Sequence, residues 1–119
     1  MVCKNVLIVE DDVSIRQSMQ DVLEISGYTV HTAANGIEGL EKLEILAGTP
    51  CVILLDMMMP KMNGWQFLDV QRTDPRYKNI PVVVCSAYEE ISKSVHPDGF
   101  LSKPLQFSAL IGAVKSHCA

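Results

Sequence analysis

Asp56 ends an apolar run, Cys51-Val-Ile-Leu-Leu-Asp56, and is followed by Met57-Met-Met-Pro60 and then Gly64. Three other apolar runs also deliver reactive groups. Val6-Leu-Ile-Val9 leads into Glu10-Asp11-Asp12, Ile80-Pro-Val-Val-Val-Cys85 into Ser86-Ala87, and Gly99-Phe-Leu-Ser102 into Lys103-Pro104. Where these ends meet, three or four carboxylates share space with one hydroxyl and one ammonium. Crowded carboxylates repel, so such a site needs a cation beyond Lys103. Oxygen donors without His or Cys beside them favour Mg²⁺ or a similar hard ion, which keeps positions open for phosphate oxygens. A carboxylate facing that ion and a lysine suits nucleophilic attack on a phosphoryl group, giving an aspartyl phosphate. Asp56 is then the nucleophile. The metal and Lys103 neutralise the equatorial oxygens, and Ser86 donates a hydrogen bond to one of them.

The elements that must position these groups follow from periodicity. Val6–Val9 does not alternate and reads as a strand buried on both faces. Ile15, Met19, Val22 and Leu23 lie on one face of a helix that Asp12 or Ser14 can cap and Gly27 can end. Tyr28–Thr32 is rich in strand formers. Asn35-Gly36 marks a turn, and Gly36–Ala47 suits a helix resting on a sheet, broken by Gly48-Thr-Pro50. Strand three is Cys51–Asp56, residues 57–63 form a loop, and Gly64 to about Thr73 is helical until Asp74-Pro75. Ile80–Cys85 and Gly99–Ser102 are strands four and five. Phe107, Leu110, Ile111 and Val114 mark a last amphipathic helix. Strands alternating with helices at this spacing imply βα units and a parallel sheet covered on both faces. Ligands bind such sheets beyond the carboxyl ends of the strands, where the reactive residues lie.

With 119 residues, the chain makes one domain with a real core. A net charge of -4 argues against a nucleic-acid surface. No apolar run approaches the ~18 residues that span a bilayer, and no secretory leader pattern opens the chain; a cytoplasmic protein with no membrane association is expected. Cys3, Cys51, Cys85 and Cys118 are scattered and are expected to be reduced, small apolar residues. Met57, Met58, Met59 and Met62 are read as gap fillers. His31, His96 and His117 share no spacing that marks a ligand set or a phosphodonor.

The chain resembles a response regulator receiver domain of two-component signalling, the CheY-like superfamily, over nearly its whole length. The resemblance rests on Val6-Leu-Ile-Val-Glu-Asp11, Asp56-Met-Met-Met-Pro60 with Gly64, Ser86-Ala87, and Phe100-Leu-Ser-Lys103-Pro104. Each motif is weak alone, but all four in order are specific. The resemblance implies a single flavodoxin-like, doubly wound (βα)5 domain over residues 1–119, with a parallel sheet of order 2-1-3-4-5 and no output domain. It implies that Asp56 accepts a phosphoryl group from a histidine kinase or phosphotransfer protein and relays it to a downstream protein. Glu10 (directly or through water), Asp11, Asp56 and the Met58 carbonyl would bind Mg²⁺ or Mn²⁺. Lys103 would contact the phosphoryl group, with a cis bond to Pro104. Ser86, followed by Ala87, and Phe100 would be the switch pair. Met58 and Tyr88 would flank the phosphoryl group, and a Met and a Tyr there would shield it from water.

Between Ser86 and Lys103 the chain is shorter than is usual for that family. Tyr88–Val95 allows at most two helical turns before His96-Pro97, so a short or irregular fourth helix and a mobile 88–98 segment are expected. That shortening touches the family's usual output face, where a homodimer is a further option. The resemblance implies a switch and not an enzyme in the ordinary sense. Two alternatives are a degenerate receiver that binds partners without phosphorylation and an Asp-nucleophile phosphatase of the haloacid dehalogenase class. The second is disfavoured because Met58 stands where that class carries its general acid.

Overall fold

A computed structural model describes residues 3–47 and 49–118, with Ser92 described by its backbone alone. Five strands alternate with five helices: β1 (Asn5–Val9), α1 (Val13–Ile25), β2 (Thr29–Ala33), α2 (Gly36–Ile45), β3 (Val52–Asp56), α3 (Gly64–Thr73), β4 (Val82–Ser86), α4 (Glu89–Val95), β5 (Gly99–Ser102) and α5 (Phe107–His117). The strands form one parallel sheet of order β2-β1-β3-β4-β5. The expected doubly wound (βα)5 topology is therefore present.

The β-branched and leucine-rich strands β1, β3 and β4 are buried nearly throughout, since helices cover both faces. On one face Leu7, Val9, Ile53, Leu55 and Val84 pack with Leu43 of α2, Phe67 of α3 and Val95 of α4. On the other, Val6, Ile8, Val52 and Leu54 pack with Met19 and Leu23 of α1 and Leu110 and Val114 of α5. The strand period of two sorts the residues of each run between these clusters.

Local signals place the helix ends. Asp12 caps α1 by accepting from the Ile15 N–H at 2.9 Å, so Asp12 and not Ser14 fills that role. Gly27, at φ +98°, turns the chain after α1 into the left-handed region that glycine tolerates. Asn35 caps α2, and Asn63 with Gln66 forms a reciprocal capping box on α3. Gly64 is required by close approach: a Cβ there would lie 2.7 Å from Met57 Cα and 2.9 Å from the Asp56 carbonyl oxygen. α4 has seven residues and stops at His96, whose φ of 48° leaves the helical region just before Pro97. The expected short fourth helix is thus observed.

Several boundaries differ from expectation. β2 runs one residue later than Tyr28–Thr32, because Tyr28 closes α1 by donating its N–H to the Leu23 carbonyl. β4 starts at Val82, since Pro81 brings no N–H to the ladder. α2 ends at Ile45, with Leu46 as its C-cap; the expected breaker Gly48 lies outside the described residues. The larger correction concerns the cysteines. Cys3 and Cys85 are free, but Cys51 and Cys118 form a disulfide with a Cα–Cα distance of 5.4 Å, within the usual range. The fold brings the start of the central strand β3 and the residue after α5 together at the amino-terminal end of the sheet, a proximity that a separation of 67 residues hides.

Candidate functional site

Parallel strands point their carboxyl ends to one rim, so Glu10 after β1, Asp56 closing β3, Ser86 closing β4 and Lys103 after β5 gather there. They line a cleft of about 280 Å³ together with Asp11, Asp12, Ile15, Met58, Ala87 and Tyr88. Phe100 is not among the lining residues. It lies within β5, half-buried against the core on the α2–α4 face.

Asp56 is buried, as its place at the end of a fully buried strand requires. Lys103 Nζ donates to Glu10 Oε1 at 2.7 Å and stands 3.3 Å from Asp56 Oδ1. One ammonium therefore bridges two buried carboxylates, and the shorter contact is to Glu10. The Lys103 N–H donates to the Ser86 carbonyl at 2.9 Å, and the Lys103–Pro104 peptide is cis. Ser86 is buried, and its Oγ accepts from the Tyr88 N–H at 3.1 Å, which fixes the turn after β4.

Carboxylate oxygens of Glu10, Asp11 and Asp56 lie within 4.8 Å of one another. Three hard oxygen donors at that spacing, two buried and one exposed, suit a divalent cation such as Mg²⁺ or Mn²⁺. The same crowding acts on Glu10. Burial, then the neighbouring Asp56 carboxylate, raises its pKa to about 7, while Lys103 works in the opposite direction. For Lys103, burial disfavours the charge, but hydrogen bonding and attraction to Glu10 and Asp56 outweigh it and raise its pKa. The ammonium stays charged at neutral pH, and the site carries a fixed cation.

The residues that the sequence nominates for the rim come together, with Phe100 behind it. Met58 and Tyr88 are exposed at the mouth of the cleft, 62% and 61% respectively, where they can cover a group bound to Asp56. Two features are legible only in three dimensions. Arg16 Nη1 donates to the Glu10 carbonyl at 2.8 Å and holds the acidic loop from α1; its place in the first turn of α1 is the only hint in the chain. The Glu10–Lys103 contact, across 93 residues, has no local signal at all.

A family model for the response regulator receiver domain matches residues 6–115. Protein PilG of Pseudomonas aeruginosa is 30% identical over 118 residues, covering 94% of this chain and 85% of PilG. The sensor kinase CckA of Brucella abortus is 36% identical over 116 residues, covering 92% of this chain but 12% of the kinase. The chain spans about half the length of several further relatives, response regulator Rre1 of Synechocystis among them. Among solved structures, the chemotaxis response regulator CheY4 of Vibrio cholerae superimposes with a TM-score of 0.84 at 32% identity, covering 95% of this chain and 97% of that one. Among the described residues, no helix is long and apolar enough to cross a membrane.

Proposed function

Since this chain belongs to the family of response regulator receiver domains, we propose that it is a phosphorylation-activated signalling switch with Asp56 as its phosphoacceptor. The observation that carries this reading is the Asp56 carboxylate, held 3.3 Å from the Lys103 ammonium and within 4.8 Å of the Glu10 and Asp11 oxygens. On this reading residues 1–119 form one receiver domain, and the cytoplasm is its proposed place of action.

An Asp56 oxygen attacks phosphorus of a phosphohistidine on a histidine kinase or phosphotransfer protein. The P–O bond forms as the P–N bond breaks, and the histidine nitrogen leaves with the bonding pair. Asp11, Asp56, Glu10 and the Met58 carbonyl would hold Mg²⁺ or Mn²⁺, whose charge would neutralise the three carboxylates enough for phosphate oxygens to approach. Lys103 gives up part of its hold on Asp56 and binds a phosphoryl oxygen. The Ser86 hydroxyl turns toward another, and Phe100 moves inward behind it. Ser86 stands next to the short α4, so this movement reaches the α4–β5–α5 face, where a downstream protein or a second copy docks. Met58 and Tyr88 screen the phosphoryl group from water.

Incubation with Mg²⁺ and acetyl phosphate, followed by intact mass measurement, tests the reading. One added phosphoryl group is expected on the wild type, none on Asp56→Asn, and none when Mg²⁺ is chelated. An unmodified wild type would leave a receiver that binds partners without phosphorylation. Steady release of phosphate from unrelated monoesters would instead identify a phosphatase.

A further inference from the structure

Of the four longer helices, α5 has the least local anchoring. Its N-cap residue is Gln106, and among the described residues no side-chain hydrogen bond closes that end. Two of its residues, Leu110 and Val114, are fully buried, and Gly112 interrupts its middle. By contrast α3 has a capping box and four buried residues. The far end of α5 is held differently. Cys118 donates its N–H to the Val114 carbonyl at 2.8 Å, and its sulfur is bonded to Cys51 just before β3. One covalent link therefore ties the last turn of α5 to the strand whose opposite end carries Asp56.

The two sulfurs of that link differ in access. Cys118 is 3% exposed, whereas Cys51 is half-buried. Beside Cys51 lies the amino-terminal segment: Cys3 is half-buried, its carbonyl oxygen lies 3.7 Å and that of Asn5 3.1 Å from Cys51 Sγ, and the free Cys3 thiol donates to the Thr49 carbonyl at 3.3 Å. Of the two bonded cysteines Cys51 is the more exposed residue, so attack by a thiolate from solvent is assigned to its sulfur. The other free thiol, Cys85, pairs with Asp56 in the ladder and is inert by comparison, since burial pushes its pKa up to about 12.

We propose that Cys51–Cys118 is a reversible thiol–disulfide exchange site that accepts low-molecular-weight thiols at Cys51 and, once opened, releases the last turn of α5. In the first step the small thiolate attacks Cys51 Sγ. A new S–S bond forms, the Cys51–Cys118 bond breaks, and the Cys118 sulfur leaves with the bonding pair and takes up a proton. A second small thiolate attacks the small-molecule sulfur of the mixed disulfide, and Cys51 leaves as a thiolate. Two small thiols have then become one disulfide, and two electrons have passed to the protein. A small disulfide runs the sequence in reverse. The site lies at the amino-terminal end of β3, the end opposite Asp56, so it does not rest on the phosphoryl-transfer reading. Its consequence falls on a helix of the face through which such a switch would signal.

The test uses glutathione as the probe on the native protein, with acid quenching, alkylation and peptide mass mapping, followed by hydrogen exchange. Before reduction, two thiols, Cys3 and Cys85, should be alkylated on unfolding. With glutathione an adduct should appear on Cys51, followed by four free thiols. Amides of residues 114–118 should then exchange roughly ten-fold faster, while α1 and α3 keep their protection. Oxidised glutathione should restore the slow exchange. Four free thiols in the protein exposed only to air, a bond that glutathione opens only after unfolding, an adduct on Cys118, or unchanged α5 exchange after reduction would each overturn the proposal. The double variant Cys51→Ser, Cys118→Ser should show the fast exchange without any thiol; if it does not fold, the glutathione-reduced wild type supplies the same readout.

Discussion

Replacing Asp56 with Asn should stabilise the metal-free protein even as it removes the proposed phosphoacceptor. The sign follows from the charges around Asp56. Glu10 and Asp11 present oxygens within 4.8 Å of it. At an effective dielectric of about 20, each such pair of unit charges repels by at least ~3.5 kcal/mol, or ~7 kcal/mol for the two. Lys103, at 3.3 Å, returns ~5 kcal/mol of attraction on the same scale. The balance is ~2 kcal/mol against the Asp56 charge, reduced by solvent around the exposed Asp11, so a gain of about 1–2 kcal/mol is expected at pH 8 in EDTA. With a urea slope of about 1–3 kcal/mol per molar, the midpoint should rise by very roughly 1 M. Mg²⁺ should reverse the order. It stabilises the wild type by binding the folded state, and Asp56→Asn, with one charged ligand fewer, should gain much less. Urea melts of both proteins in EDTA and in millimolar Mg²⁺ supply the four numbers needed. A variant less stable than wild type in EDTA, or one that gains as much from Mg²⁺, would refute this account of the carboxylate cluster.

The raised pKa of Glu10 gives a second expectation, for the metal-free protein. The folded state holds the Glu10 proton up to about pH 7, against 4.5 for an unperturbed glutamate. This contribution to stability is complete below pH 4.5 and is lost as pH rises through about 7, at most about 3 kcal/mol over that window. Denaturation in EDTA across pH 5–8 should show the fall, and Glu10→Gln should flatten it. The glycines supply a matched pair: Gly64→Ala drives a methyl into the Met57 and Asp56 backbone and should cost about 1–3 kcal/mol, whereas Gly112→Ala meets nothing within 4 Å and should gain about 0.5–1 kcal/mol in urea melts. Met58→Asn should shorten the lifetime of the phosphorylated protein several-fold by opening the mouth of the cleft, read as loss of the added mass with time. An unchanged lifetime would remove Met58 from the screening role.

Much of the architecture was legible along the chain because its causes are local. Continuous apolar runs mark strands covered on both faces, and the 3.6-residue stripes of Leu and Ile mark the helices between them. Asp12, Gly27 and Asn35 punctuate the ends through caps and a left-handed turn that act within a few residues. The shortness of α4 follows from a count of residues before His96-Pro97. Reactive groups at the ends of four runs could be assigned to one rim as soon as the sheet was taken as parallel. The boundaries moved by a residue or two where a helix-closing hydrogen bond, such as Tyr28 N–H to the Leu23 carbonyl, or a proline without an N–H, such as Pro81, shifted the end of an element.

Side-chain partnership at the site belongs to the tertiary structure. The chain nominated Lys103 for the phosphoryl group, but the fold sets it closest to Glu10, tying the charge of one to the burial of the other. The approach of Gly64 to the Asp56–Met57 backbone and the Arg16 clamp on Glu10 arise only when α3 and α1 dock on the sheet. The Cys51–Cys118 bond is the plainest case. Composition and spacing favoured four reduced cysteines, yet the sheet order and the return of α5 bring two of them within bonding reach. Residue types and their periodicity determined which chemistry the chain could assemble, because those signals act over one or two turns. Which groups share a proton, a charge or a bond was decided by contacts between residues tens of positions apart, and such contacts exist only once the sheet has formed.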